Sequence, residues 1–399
     1  MPEATAARRF TRRLREGGRR TVSILRAARI AGPVALAILR AIVVVLAAVS
    51  GLVSGFAPAL VPDLALAAGA VADSPGLSSP RPPMQIQGGP QVSAGIPGFH
   101  SPLPESSYAS GTTAGGPVQV EPARMPFYVA TRGTTTIYLL GTVHVGDPAD
   151  YPPGQPFRAP ILAALNASPT LALELSPDDL LVSQDDVSKY GVCKYPCLPK
   201  LLPEPLWHKL EARLRGNPEA LDEIRRMRPW LASLLVETYD SLSAGLQTEY
   251  GTEAQLQNVF LRLKGRRIVG LETLAEQMRA FTSLSLAQQR EMLAQDLAQS
   301  PAQNVADVKE LLHLWRVGDA DAIAAWDAAR TERLSRNLRV AESIDNRIVS
   351  ERNRRFVTRM VQIAAPNKPL FVAIGALHLG GPKGVLALLR QRGFTVVSG

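Results

Sequence analysis

Two histidines in this sequence occupy matching surroundings. His144 lies in "IYLLGTVHVGDP" (137–148) and His378 in "FVAIGALHLGGP" (371–382), and the two segments align without a gap. Gly141 matches Gly375, Gly146 matches Gly380, and Pro148 matches Pro382. Each histidine follows an apolar run that reads as a buried strand, then a glycine turn, with a proline where a helix could start. The chain thus carries an internal repeat of one strand–turn–helix unit. Two glutamates are placed alike: Glu174 ends the strand in "TLALELSP" and Glu272 the one in "RIVGLETL". A carboxylate closing an apolar strand is costly to bury without a partner. Two imidazoles and two carboxylates could hold a divalent metal ion such as Zn, Mn, Co or Fe, with open positions for water. Singly, each residue has a plainer reading, such as a hydrogen-bonded structural histidine. Glu272 could also help start the helix after it, since its charge suits a helix N-terminus. The duplicated histidine turn favours one shared site.

These residues come in the order His, Glu, Glu, His, each at the end of a short strand. If the four strands share one sheet, their carboxyl ends converge on the edge where α/β folds bind ligands. The remaining pattern supports such a sheet. "PFYVATRGTTTIYLLG" reads as a hairpin around Arg132-Gly133, and "PFRAPILAALNAS" as a short helix. A helical region spans roughly 203 to 265, with breaks near Pro218 and Pro229, and another spans 273 to 362. The last segment reads strand, glycine turn, helix, strand. The fold class is therefore α/β or α+β: a mixed central sheet with two related strand–turn–helix halves and a helical middle region as a cap.

The 399 residues divide into three regions. Residues 1–72 hold a basic head and the uncharged run "AIVVVLAAVSGLVSGFAPALVP" (41–62), long enough to cross a bilayer. Arginines before such a run place the bulk of the chain outside the cytoplasm. Ala70-Val71-Ala72 offers a cleavage site, so a cleaved export signal is favoured over a retained inner-membrane anchor. Residues 73–122 are rich in Pro, Gly and Ser and read as a disordered tether that contains His100. The folded domain is expected over 123–399. The net charge of +9 does not indicate nucleic acid. Ten arginines against two glutamates in residues 1–40 account for nearly all of it. The only two cysteines, Cys193 and Cys197, are expected to form a disulfide stapling a loop. His208 and His313, beside Trp207 and Trp315 in helical patterns, read as structural or solvent-facing.

The spaced "GTVH" and "GALH" turns, with "LEL" and "GLET" between them, resemble the TraB/GumN family, which is related to the Tiki metalloproteases and more distantly to erythromycin-esterase-like and ChaN-like proteins. "RPW" (228–230), "EYGTEAQL" (249–256) and "SERNRRFVTRM" (350–360) extend the resemblance, which covers roughly 124–397. It implies a mixed α/β fold with, in the Tiki branch, a metal-dependent hydrolytic centre. His144 and His378 would be ligands or catalytic histidines, Glu174 a ligand or general base, and Glu272 a second carboxylate. Arg352 and Asn353 match a polar pair near the site, with Arg352 suited to a substrate carboxylate or an oxyanion. The plainer reading of Arg352 is a solvated helix face, shared with Arg347, Arg354 and Arg355. Trp230 and Tyr250 read as core or pocket wall. Gly381 stands where the first copy has Asp147, so a role for Asp147 is not duplicated. The expected function is a metal-dependent hydrolase, chiefly a peptidase, acting on peptides or proteins outside the cytoplasm. The alternatives are a non-catalytic protein that sequesters a peptide signal or a metal or haem ligand, and a metal-free esterase-like reaction with a histidine base.

Overall fold

The computed structural model describes residues 121–179 and 187–399. The basic head, the apolar run 41–62, the tether up to residue 120 and His100 lie outside them. Among the described residues no helix is long and apolar enough to cross a membrane.

Six strands form one mixed sheet: β1 (Phe127–Arg132), β2 (Thr135–Thr142), β3 (Thr170–Leu173), β4 (Arg267–Gly270), β5 (Leu370–Gly375) and β6 (Thr395–Ser398). Their order is β4-β3-β5-β2-β1-β6. The β1–β2 hairpin is antiparallel and turns at Gly133, whose φ of 57° suits glycine. The strands β4, β3, β5 and β2 run parallel side by side. Consequently the two copies of the repeat are neighbours, one residue out of step: Gly141 pairs with Ile374, and Thr142 with Gly375.

Strand side chains alternate between two faces, as the pleat requires. Ile137, Leu139, Leu370, Val372 and Ile374 face a core closed by Phe356, Val357 and Met360 of the Glu351–Ile363 helix, and by Leu386 and Leu389 of the Val385–Gln391 helix. Leu140, Phe371 and Ala373 face a second core with Ile161, Leu165, Leu256, Phe260 and Trp315. Helices therefore cover both sides of the sheet. The helical middle has a separate core around Leu210, Trp230, Phe281 and Leu293, with Trp230 stacked on Phe281 at 5.4 Å.

The helix breaks fall where expected: Pro218 and Pro229 each occupy the first turn of a helix (Pro218–Ile224 and Pro229–Ser243). Cys193 and Cys197 form the expected disulfide. Two expectations need correction. After the first histidine turn there is only a 3₁₀ turn (Pro148–Asp150), capped by Asp147 and followed by Pro152-Pro153, which cannot continue a helix. Nor does Glu272 start the helix after it; Thr273 and Glu276 form a capping box at Leu274–Thr282 instead.

Candidate functional site

Since β2, β5, β3 and β4 run parallel as neighbours, the residues just past their ends meet at one sheet edge. His144 follows β2, His378 follows β5, Glu174 follows β3 and Glu272 follows β4. Gly375 stands at the centre. A Cβ there would lie 3.2 Å from Glu174 Oε1, 3.5 Å from His378 Cδ2 and 3.9 Å from His144 Nε2. The two histidines therefore do meet in space. His378 Nε2 is 3.8 Å from Glu174 Oε1.

Arg352 and Asn353 reach the same cluster from the Glu351–Ile363 helix, whose first turn follows a π turn at Asn346–Ser350. Such an insertion shifts the face a helix presents, and here two residues just past it, Arg352 and Asn353, point inward. Arg352 Nη2 donates to Glu174 Oε2 and to Glu272 Oε1, both at 2.5 Å, and its Nε donates to Glu272 Oε1 at 3.0 Å. Its Nη1 lies 3.2 Å from His378 Nε2. The four groups are buried, with exposures of 5 % for Glu174, 1 % for Glu272, 5 % for Arg352 and 6 % for His378. A third of the His144 side chain is open to solvent, which puts the mouth of the site there.

A hydrogen bond orients His378. Asn353 Nδ2 donates to the Lys383 carbonyl, so its Oδ1 accepts from His378 Nδ1 at 2.6 Å. That fixes the tautomer and leaves the Nε2 lone pair turned into the site. His144 Nδ1 lies 3.1 Å from Glu253 Oε1, a charge contact without hydrogen-bond alignment. Glu253 also accepts a short bond from Thr142 Oγ1, while its Oε2 is buried without a partner. Sequence reasoning missed Glu253, although it lies in "EYGTEAQL"; its signal was a carboxylate in the first turn of a helix after glycine.

Backbone contact brings Glu253 to His144. Gly146 and Gln247 exchange both backbone bonds at 2.9 and 2.8 Å, and Thr252 N donates to the Val143 carbonyl at 2.9 Å. The approach leaves no room for side chains: a Cβ on Gly146 would stand 2.1 Å from the Tyr250 carbonyl oxygen, and one on Gly251 2.3 Å from that of His144. In the second copy, a Cβ on Gly380 would likewise stand 1.9 Å from the Ala320 carbonyl oxygen. Gly251→Ala is expected to cost about 1–3 kcal/mol, since backbone on both sides must move apart. Thermal melts would measure the loss, and an unchanged melting temperature would contradict this packing.

Protonation states follow from these neighbours. Burial alone would raise Glu174, but Arg352, His378, His144 and the Gly375 amide bring it down to about 2, so it is ionised at neutral pH. Burial lowers His378 to about 3, which keeps it neutral. Burial also disfavours charge on His144, yet the Glu253 carboxylate outweighs it and moves the group upward. Burial raises Glu272, with Arg352 opposing.

The family model described as the TraB/PrgY/gumN family matches residues 126–398. The chain belongs to that family. No curated protein matches it, and no solved structure does. The match runs from the start of β1 to the end of β6, so the TraB/PrgY/gumN unit is the sheet domain with its cap.

Whether this TraB/PrgY/gumN centre suits the expected divalent ion depends on its donors. His144, His378 and Glu174 suit one by chemistry: two imidazoles whose Nδ1 atoms face oxygen, and an ionised carboxylate. Glu272 does not, because Arg352 takes both of its oxygens and Arg355 Nη2 stands 3.7 Å away. Among the described residues no group of three or more His, Cys, Asp or Glu is spaced to hold an ion as it stands. The guanidinium of Arg352 lies against both His378 Nε2 and Glu174 Oε2. Seating an ion on the three donors therefore requires Arg352 to release His378.

The other sequence candidates lie elsewhere. His208 pairs with Glu204 and Glu211 on the surface, and His313 is exposed. Trp230 belongs to the cap core. Tyr250 lies beside Tyr151, with ring centroids 6.5 Å apart. Asp147 caps its turn and bonds Arg316, and Gly381, with φ 78°, fills the matching position in the second copy.

Proposed function

We propose that this protein is a hydrolase with its centre at His144, Glu174 and His378, metal-dependent, and acting on peptide bonds. The observation that carries the reading is the convergence of an ionised carboxylate and two imidazoles, one of them oriented by Asn353, at the carboxyl edge of the parallel strands. A divalent ion held by His144, Glu174 and His378 would supply a Lewis acid and a water of lowered pKa. Glu174, ionised, would be a ligand of that ion or, without one, the group that takes a proton. Arg352, whose charge Glu174 and Glu272 reinforce against the opposing effect of burial, is placed to hold a developing oxyanion. Asn353 keeps His378 in one tautomer, and the Glu253 carboxylate favours charge on His144. The peptide bond as target rests on the likeness of the two histidine turns to the metalloprotease branch. The disulfide supports an oxidising compartment outside the cytoplasm.

A second reading has its own observation: Arg352 Nη1 on His378 Nε2 makes an arginine-assisted, metal-free centre with a histidine base. Elemental analysis of the purified full chain decides between them, run beside a peptide-library digest with and without chelator. About one ion per chain, lost in the double variant His144→Ala, His378→Ala together with cleavage, is the expected result. Cleavage that survives chelation would favour the metal-free centre. Stoichiometric capture of peptides without turnover would replace both with a sequestering role.

A further inference from the structure

The helix that brings Arg352 and Asn353 into the site has a second face. Glu351, Arg354, Arg355, Thr358, Arg359 and Gln362 recur at helical spacing and line a groove of about 490 Å³. Its charges are unevenly satisfied. Arg359 is bonded to Glu276 and to the Leu271 carbonyl, and Glu351 pairs with Arg347 at 3.5 Å. The Arg354 guanidinium has no partner among the described residues. Arg355 reaches only Glu272, at 3.7 Å, and its Nε is buried without a hydrogen bond. Glu272 is already bonded to Arg352 through both oxygens, so the Arg355 charge is surplus to it.

We propose that this groove is a carboxylate-binding subsite, formed by Arg354 and Arg355, that holds acidic peptides on the outer face of the helix that carries Arg352. The choice of a peptide rests on the function proposed above; the choice of an anion rests on the two underused guanidiniums. A guanidinium meets a carboxylate through two parallel N–H bonds, which an amide of the same shape cannot match. Arg355 gives the subsite its position, because the Glu272 it faces is held by Arg352, which in turn contacts Glu174 and His378. The groove and the centre thus share the Glu351–Ile363 helix on opposite faces, with Glu272 and Arg352 linking them.

The test uses the full chain and labelled short peptides that differ only by Glu→Gln, with binding followed by fluorescence anisotropy. A neutral peptide with a free or an amidated C-terminus separates a side-chain carboxylate from a terminal one. The carboxylate form is expected to bind about tenfold more tightly than its neutral twin. Arg354→Gln and Arg355→Gln should each remove most of that preference, Arg355→Lys should retain part of it, and added salt should weaken it. Equal binding of the charged and neutral peptides, no binding of either, or a preference unchanged in the double Gln variant would overturn the subsite. Mass spectrometry of the same mixtures reads cleavage separately. Acid preference without cleavage overturns the hydrolase and leaves the subsite standing, whereas cleavage without preference does the reverse.

Discussion

Replacing Arg352 by methionine is expected to destabilise the folded domain by about 3–5 kcal/mol. The side chain is 5 % exposed and is shared by Glu174 and Glu272, which are themselves 5 % and 1 % exposed. Methionine would fill similar space but leave two buried carboxylates facing each other with no cation between them. Desolvation of an unpaired buried charge far exceeds the worth of an exposed ion pair. The loss should also depend on pH. Without Arg352 both glutamates would hold protons more readily, so the gap between variant and wild type should narrow from pH 7 to pH 5. Adding Glu272→Gln to Arg352→Met should recover part of the stability, since it removes one orphaned charge. Urea unfolding of wild type and both variants at both pH values measures this. A methionine variant as stable as wild type at pH 7 would mean that Arg352 is not the counter-ion of the cluster.

Much of this cluster was legible from local pattern, and its failures were those of distance. The repeat of "GTVH" and "GALH" could be read because a strand, a glycine turn and a histidine are all short-range features. Neighbouring parallel strands then placed the two copies together. Glu174 and Glu272 carried the same strand-end mark, which is why four residues spread over the chain could be assigned to one edge. What local pattern could not carry was the division of labour among them. Glu272 matched Glu174 in sequence context, yet the Arg352 side chain crosses to it from a helix 80 residues later and takes both its oxygens. Glu253 had no strand-end mark, and its approach to His144 depends on Gly146 and Gly251 letting two loops touch. Asn353 was assigned to the site by resemblance alone. Its bond to His378 arises from the inward face of a helix that widens to a π turn just before it, which no periodicity of apolar residues announces.

Acid should weaken this domain through His378 and Glu174. His378 falls from an ordinary 6.5 to about 3 in the fold, because burial opposes its charge. The unfolded chain therefore binds a proton there that the folded chain refuses. This contribution is complete above pH 6.5 and is lost as pH falls from 6.5 towards 3. Glu174, brought from 4.5 to about 2 against the effect of burial by Arg352 and its other neighbours, acts in the same direction between pH 4.5 and 2. His144 acts oppositely: raised by Glu253 against burial, it stabilises below pH 6.5 and loses that contribution as pH rises through its folded value. That titration lies above pH 6.5, so it leaves the loss below that pH to His378 and Glu174, with His378 alone worth on the order of several kcal/mol. Burial raises Glu272, Asp240 and Asp296, which stabilise the fold as pH falls, so the His378 effect is read as the difference between wild type and variant in urea midpoints from about pH 6.5 to about pH 4. His378→Asn, which cannot titrate, should start less stable at pH 7 yet lose much less over the same range. An equal slope in wild type and variant would show that the fold does not depress His378, and the buried, neutral imidazole described here would be wrong.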